Sequence, residues 1–178
     1  MAFEPIAIVG QACTLPDALT PEALWANVLA GRSSISAVPA DRWGVARATS
    51  MGTLDEATDR TWSDAGGYVR GFEGVFDPAG FAIPEDEVRA LDPLFQWVMH
   101  GAREALRAIG HEAPSSRAGL VLGNLSFPSS SMARYAESVW LEAQGPSFAG
   151  GRAVRARPHP RNRFSSGLPA HQIGRAHV

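Results

Sequence analysis

The stretch PIAIVGQACTLPDALTPEALWANVLAG, residues 5–31, decides the fold class. It begins with a short β-branched apolar run, 5–10, closed by a glycine, which is typical of a buried strand. A helix is predicted next, because Thr20 can cap it, Pro21 suits its first position and Gly31 can end it. Its predicted inward face consists of Leu24, Trp25, Val28 and Leu29.

The second half of the chain repeats this alternation. Asp92 and Pro93 predict the start of a long helix, and Gly110 predicts its end. Residues 117–124, RAGLVLGN, predict another buried strand. A further amphipathic helix is predicted from about 130 to 143, with Met132, Ala136, Val139 and Trp140 inward. Strands that alternate with helices predict an α/β fold with crossover connections.

The long helix has a clear apolar side. Its inward positions are Leu94, Phe95, Val98, Ala102, Ala105, Leu106 and Ile109. Its outward positions are Gln96, His100, Arg103 and Arg107. Before this helix, residues 32–83 are rich in Ser, Pro, Gly and Asp, which predicts long structured loops or a few short strands. The acidic run PEDEVR, 84–89, predicts a first helical turn, where the helix dipole favours acids.

Composition narrows the class of protein. The chain has 178 residues, 45% of them apolar and 19% charged, as expected for a globular domain rather than a disordered one. No apolar run is long enough to cross a bilayer, and the first residues lack the basic start of a signal peptide, so we expect a cytoplasmic protein without membrane contact. The single cysteine, Cys13, agrees with a reducing compartment.

Charge is distributed unevenly along the chain. Residues 1–142 contain all eighteen acidic residues, whereas residues 143–178 contain six arginines and no acid. A solvated loop explains this cationic segment most simply, and a docking surface for an acidic partner is the functional alternative. No aromatic residues are interleaved as in nucleic-acid binding segments, so no nucleic-acid partner is expected. The candidate docking residues are Arg152, Arg155, Arg157, Arg161 and Arg163.

No complete catalytic, cofactor or metal site can be assembled from the motifs. Cys13 follows a strand and a glycine, where a nucleophile can be presented, but a buried structural cysteine is the simpler interpretation. Ser126 lacks the glycine spacing of a hydrolase elbow, and GGYVRG at 66–71 is not followed by a helix that could bind phosphate. The five histidines lack zinc-ligand spacing. We therefore predict no catalytic, cofactor-binding or metal-binding residue in this chain.

Four segments nevertheless resemble the N-terminal part of the β-ketoacyl synthases, the condensing domains of polyketide and fatty-acid synthases. They are IAIVGQACTLPDALTPEALWANVLAGRSSISAVPADRW, then GGYVRGFEGVFDPAGFAIPEDEVRALDPLFQWVMHGAREALRAIG, then RAGLVLGN and finally NRFSSGLPAH. Their order is far more specific than any one motif. By this resemblance Cys13 matches the structural cysteine of the opening G.AC..P motif, and the fold is the incomplete N-terminal lobe of a thiolase-like fold.

The resemblance also implies a reaction, a decarboxylative Claisen condensation that elongates a carrier-bound acyl chain with malonyl thioester. In the family a cysteine thiolate carries the acyl group and two histidines stabilise the enolate. These residues lie beyond the SGLPAH helix, so none can be assigned here, and His171 and His177 do not match them. The implied partners are an acyl carrier protein and a second copy of the parent, and no cofactor is implied.

The end of the chain departs from this pattern. IGRAHV, residues 173–178, is the translation of ATC GGA AGA GCA CAC GTC, which resembles a sequencing adapter. We therefore expect 1–172 to be a fragment of a condensing domain and 173–178 to be a non-native tail. We expect the fragment alone to be inactive and poorly folded, because missing strands leave apolar faces uncovered. The alternatives are a non-catalytic condensing-like subunit and a stand-alone carrier-protein binding module.

Overall fold

The structure is a computed structural model that describes residues 5–40, 42–43, 47–53, 60–110, 119–123, 133–136 and 138–139. The chain divides into two compact units. The loop unit is Ala12–Val75, and the helical unit comprises Met1–Gln11 with Phe76–Val178. No helix among the described residues is long and apolar enough to span a membrane. The cytoplasmic location stays a prediction.

The loop unit begins with helix α1, Pro21–Leu29, whose two ends were predicted from the sequence. The Thr20 side chain accepts a hydrogen bond from the Ala23 backbone N–H, and Pro21 occupies the first turn. After the helix, Gly31 adopts a φ of 60°, a left-handed conformation that glycine reaches without a steric penalty. The predicted helix and its caps are therefore confirmed.

The predicted burial of α1 is wrong. Leu24, Trp25, Val28 and Leu29 are all exposed. Helix ends are set by contacts within a few residues, whereas burial needs a second surface to pack against. The amphipathic pattern therefore predicted the helix and not its environment.

Short elements and turns make up the rest of the loop unit, as predicted for most of 32–83. Strand β1, Ile35–Ser36, pairs antiparallel with strand β2, Gly66–Gly67, and Ile35 lies opposite Gly67. Helix α2 is Arg47–Ser50 and is followed by an isolated parallel bridge between Met51 and Thr61. A single 3-10 turn at Phe72–Gly74 buries Phe72.

The helical unit contains helix α3, Glu85–Ala90, and helix α4, Pro93–Arg107. Acidic residues fill the first turn of α3, which confirms the prediction for PEDEVR. The Asp92 side chain accepts a hydrogen bond from the Leu94 backbone N–H and caps α4, and Gly110 follows with a φ of 73°. The start and the end of the long helix are confirmed.

A compact apolar cluster joins α3 to α4. Its buried members are Val88, Leu91, Phe95 and Met99. The partly buried residues packed against it are Phe76, Phe81, Ile83, Leu94, Val98 and Ala102. Phe95, Leu94, Val98 and Ala102 were predicted on the inward side, so this part of the helical face is confirmed.

Two positions of α4 that were predicted to face outward are buried. His100 and Arg103 are 6% and 8% exposed. The buried face of α4 therefore includes these two polar side chains in addition to its apolar residues. Arg103 can be buried because backbone carbonyls accept hydrogen bonds from its guanidinium.

The two predicted buried strands are not observed as strands. Residues 5–10 and 119–123 have no assigned ladder within the described part of the chain, and Ile8 and Val121 are 81% and 95% exposed. A strand is defined by pairing, which a β-branched composition favours without supplying the partner. Residues 133–136 and 138–139 are helical, which agrees with the predicted second amphipathic helix, but Ala136 and Val139 are exposed rather than inward. Met132 and Trp140 lie outside the described residues.

Candidate functional site

Arg103 contacts a turn that lies more than twenty residues earlier in the chain. Its Nη1 atom donates to the Ala79 carbonyl at 2.8 Å, and its Nη2 atom donates to the Asp77 carbonyl at 2.5 Å. The guanidinium carbon lies 4.5 Å from the centroid of the Phe81 ring, within cation–π range. Arg103 therefore binds the turn 77–81 in two ways. The edge of its guanidinium donates hydrogen bonds, and the plane of the guanidinium stacks on the Phe81 ring.

The turn that Arg103 binds is preformed by local contacts. The Asp77 Oδ1 atom accepts a hydrogen bond from the Ala79 backbone N–H at 2.9 Å, and Gly80 adopts a φ of 79°. The two carbonyls that face Arg103 are thereby held in place without a long-range partner. The turn therefore presents two carbonyls in fixed positions, and both accept hydrogen bonds from Arg103.

His100 lies beside this cluster. Its ring meets Phe76 edge-on, with ring centroids 6.4 Å apart, and Phe76 in turn stacks near Phe81. Burial lowers the pKa of His100, Glu104 opposes that effect, and the positive charges of Arg103 and Arg107 add to it. Burial therefore favours the neutral imidazole, which packs against Phe76.

Arg103 remains a cation in this environment. Burial lowers the pKa of its guanidinium, and the nearby charge of Arg107 acts in the same direction. An arginine is not deprotonated by such shifts in a protein. The hydrogen bonds to the two carbonyls and the contact with the Phe81 ring therefore stabilise its buried charge. Glu104 Oε1 lies 3.9 Å from Arg103 Nε and 3.0 Å from Arg107 Nη1, and it adds an ion pair at the solvent side.

The cysteine singled out in the sequence is placed in the loop unit as a structural residue. The Cys13 Sγ atom lies 3.8 Å from the Ala18 carbonyl and donates its weak hydrogen bond there. Burial raises the pKa of this thiol, and Glu22 raises it further. A thiol held in its protonated form is a poor nucleophile, so the structure favours the structural interpretation of Cys13 over the catalytic one.

The docking candidates and several motif residues lie outside the described residues. This applies to Arg152, Arg155, Arg157, Arg161, Arg163, Ser126, His171 and His177. Within the described ranges, no three residues among His, Cys, Asp and Glu are grouped so that they could hold a metal ion.

Two polar residues with clear structural roles were missed by the sequence patterns. Arg103 was placed on the outward side because an arginine is usually exposed. Gln96 was placed there too, yet its Nε2 atom donates to the carbonyls of Val88, Arg89 and Leu91 at the end of α3. Neither role has a local signal, because the acceptors of Gln96 and Arg103 lie between five and twenty-six residues away.

Comparison with known families gives one extended match. The family described as Beta-ketoacyl synthase, N-terminal domain, matches residues 3–159. The chain is 34% identical over 125 residues to the highly reducing polyketide synthase PKS6 of Gibberella zeae, which covers 68% of this chain and 5% of that protein. It is 38% identical over 125 residues to the pikromycin polyketide synthase component PikAII of Streptomyces venezuelae, which covers 67% of this chain and 3% of that protein.

A solved structure extends the likeness to the fold. The chain superposes on the PfaC keto synthase-chain length factor with a TM-score of 0.79 and 26% sequence identity. The match covers 96% of this chain and 19% of that one. The chain therefore spans a small fraction of the relatives that it matches.

Proposed function

The chain belongs to the β-ketoacyl synthase family, and from this membership we propose that it supplies the opening part of a condensing domain in a larger synthase. The family resemblance and the thiolase-like α/β fold predicted from the sequence are both confirmed by the matches. The observation that supports the proposal most directly is the superposition over 96% of the chain, because it includes the loops as well as the helices.

The proposed reaction of the parent domain is the elongation of a carrier-bound acyl chain. Loss of carbon dioxide from a malonyl thioester leaves an enolate carbon, which attacks the acyl thioester carbonyl. The electron pair of the broken carbon–carboxylate bond forms the new carbon–carbon bond, and the pair of the broken acyl carbon–sulfur bond leaves with the thiolate that carried the acyl group. The product is a β-ketoacyl thioester on the carrier.

We propose that this chain alone does not catalyse the reaction. Its only cysteine is Cys13, whose thiol is stabilised in the protonated form by burial and by Glu22. An acyl-carrying nucleophile would therefore have to come from a further part of the parent domain. Residues 173–178 are proposed to be a non-native tail, which leaves 1–172 as the part that belongs to that domain.

The arginine-rich segment is a candidate contact for the acyl carrier protein. Five arginines without a compensating acid lie in residues 143–172, and electrostatic attraction would steer an acidic carrier toward them. In the intact parent, reversal of charge at Arg155 and Arg157 should slow transacylation from the carrier and should reduce its dependence on salt. An unchanged rate would remove this part of the proposal. The parent is further proposed to act as a homodimer.

The decisive experiment is to resequence the source DNA across the codon of His171 and for several hundred bases beyond. We expect an open frame that continues into a cysteine-bearing turn and two later histidine motifs, in place of residues 173–178. Expression of that longer frame should yield β-ketoacyl product from acyl-carrier and malonyl-carrier substrates. A genuine stop after Val178 in the source DNA would overturn the proposal for this gene.

A non-catalytic role in a condensing complex is the second candidate. It is favoured by the solved neighbour, whose name pairs a keto synthase with a chain length factor. The residue at the downstream nucleophile turn separates the two candidates, since a cysteine there indicates an enzyme and any other residue indicates a partner subunit. The same resequencing therefore tests both.

A further inference from the structure

The loop unit is an insertion within the helical unit along the chain. The first piece of the helical unit ends at Gln11, and its second piece begins at Phe76. The segments of the helical unit at these two points, 10–11 and 76–81, are called the outgoing flank and the returning flank below. We infer that residues 100–109, the second half of α4 and the turn after it, form a clasp that holds both flanks, so that the flanks are released together.

The outgoing flank touches the clasp through its backbone. A Cβ atom added at Gly10 would collide with the backbone carbonyl oxygen of Ala105 and approach Ile109 Cγ2. Gly10 is half-buried, whereas Val9 before it and Gln11 after it are exposed. The outgoing flank is therefore held at one point, where the absence of a side chain allows the backbone to approach the helix.

The returning flank is held by side chains of the clasp. Arg103 donates to two backbone carbonyls of this flank, and its guanidinium lies over the Phe81 ring. One helical turn earlier, His100 meets Phe76 edge-on. Val75 is exposed and Phe76 is half-buried, so this hold begins at the first residue of the flank.

The clasp lies between the two flanks. With 3.6 residues per turn, position 105 lies about 160° around the helix axis from position 103. The outgoing flank and the returning flank therefore contact opposite sides of the same part of α4. The hydrogen bonds of a helix keep its turns together, so a displacement that breaks one contact moves the residues that make the other. The two flanks and the clasp are thus expected to open as one cooperative unit.

Two contact measurements by NMR in the full 178-residue chain test the clasp. The exchange of the Arg103 Nη protons with water reports release of the returning flank, because carbonyls of that flank accept these protons in hydrogen bonds. The nuclear Overhauser effect between the Gly10 Hα atoms and the Ile109 γ2 methyl group reports the contact of the outgoing flank. Each measurement is made while the contact on the other flank is changed.

The variants are chosen so that each changes one flank and is measured at the other. Gly10→Ala crowds the outgoing flank, and we expect it to accelerate exchange of the Arg103 Nη protons at least fivefold. Arg103→Lys loses the planar fork that donates to two carbonyls, and it should lower the Gly10–Ile109 Overhauser effect by at least half. Cross-effects in both directions are required if one clasp holds both flanks.

Gly74→Ala is the matched control. Gly74 lies in the loop unit, and a Cβ atom added there meets no atom within 4 Å, so exchange of the Arg103 Nη protons should change less than twofold. The Val88 amide, which donates to the Pro84 carbonyl, distinguishes local release from general unfolding. In Gly10→Ala its exchange should accelerate at least threefold less than that of the Arg103 protons.

Independent flanks would overturn the inference. They would appear as Arg103 proton exchange within twofold of the unaltered chain in Gly10→Ala, or as an unchanged Overhauser effect in Arg103→Lys. Equal acceleration at Val88 and Arg103 would overturn it too, because the flanks would then open only with the whole unit. If Gly10→Ala does not fold, Ile109→Ala supplies the change at the outgoing flank. None of these outcomes depends on whether the parent domain makes a β-ketoacyl product.

Discussion

Arg103 shows how one residue can organise a turn that is distant in sequence. Replacement with alanine removes two hydrogen bonds to carbonyls, the contact with Phe81 and much of the packing of the aliphatic stem. For Arg103→Ala we expect the free energy of local opening of α4 to fall by about 2–4 kcal/mol. Native-state hydrogen exchange on α4 amides measures this value.

Arg107→Ala is the control for that measurement. Arg107 lies one turn later on the same helix and is exposed, and its Nη1 atom pairs with Glu104 Oε1 at 3.0 Å. We expect its replacement to change the same free energy by less than about 0.5 kcal/mol. Equal losses in the two variants would mean that the carbonyl contacts of Arg103 do not stabilise the helix.

His100 should make the helical unit sensitive to acid. Its pKa in the folded chain lies below the usual 6.5, mainly because of burial, so the unfolded chain takes up a proton at a higher pH than the folded chain does. The stabilising contribution of the neutral ring is complete above pH 6.5 and is lost as the pH falls toward the folded pKa. Titration of the His100 ring protons by NMR should place its pKa below 6.5.

The same experiment has an internal control. In His100→Gln the amide exchange of α4, corrected for the intrinsic rate, should lose the part of its pH dependence that falls just below pH 6.5. A His100 pKa at or above 6.5, or an unchanged pH profile in the variant, would contradict the assignment of a buried neutral ring.

At the scale of elements, Gln96 connects α4 to the end of α3. Its Nε2 group donates toward three backbone carbonyls at the C-terminal end of α3, those of Val88, Arg89 and Leu91. In Gln96→Glu the side chain keeps its shape but loses these donors, and its charge repels the carbonyl dipoles. We expect α3 amides to open more easily by about 1–2 kcal/mol, measured by hydrogen exchange.

The exposed pair Arg89–Glu85 offers a comparison within α3 itself. Arg89→Gln removes only a 3.7 Å contact between exposed side chains and should change the same opening free energy by less than about 0.5 kcal/mol. If Gln96→Glu has no larger effect than this variant, Gln96 does not cap α3.

Two glycines in the helical unit should respond in opposite ways to alanine. Gly101 lies within α4, and a Cβ atom added there meets no atom within 4 Å. Gly101→Ala should therefore stabilise α4 by about 0.5–1 kcal/mol, through the lower backbone entropy of alanine in the unfolded chain. Gly10→Ala should destabilise the helical unit, since its Cβ atom would meet the Ala105 carbonyl. Thermal or denaturant melting of helical signal compares the two, and the same sign for both would refute the close approach at Gly10.

At the scale of the whole molecule, the described residues of the two units differ in how much apolar side chain they bury. The helical unit buries Val88, Leu91, Phe95 and Met99, whereas the loop unit buries only Ala18 and Phe72 among its described apolar residues. Local stability follows buried apolar contact, so we expect slower amide exchange in α4 than in α1 by at least tenfold. Equal protection of the two helices would indicate that the loop unit is stabilised by contacts other than apolar burial.

The thiolase-like fold was predictable only through the resemblance of four ordered segments to the β-ketoacyl synthases, whereas the helix ends were predictable from local signals. Thr20, Pro21 and Gly31 frame α1, and Asp92, Pro93 and Gly110 frame α4, where each acts on backbone groups within one helical turn. The resemblance of the ordered segments is matched by the superposition on the solved neighbour at 26% identity.

The sequence by itself determined where the helices begin and end, because capping, glycine conformation and the proline ring act over distances of a few residues. Only the tertiary structure decided which sides are buried. Arg103 is inside because the turn 77–81, more than twenty residues earlier, presents two carbonyls and an aromatic ring to it. Residues 5–10 are outside because pairing needs a second strand, and the preference of a β-branched segment for pairing cannot supply one.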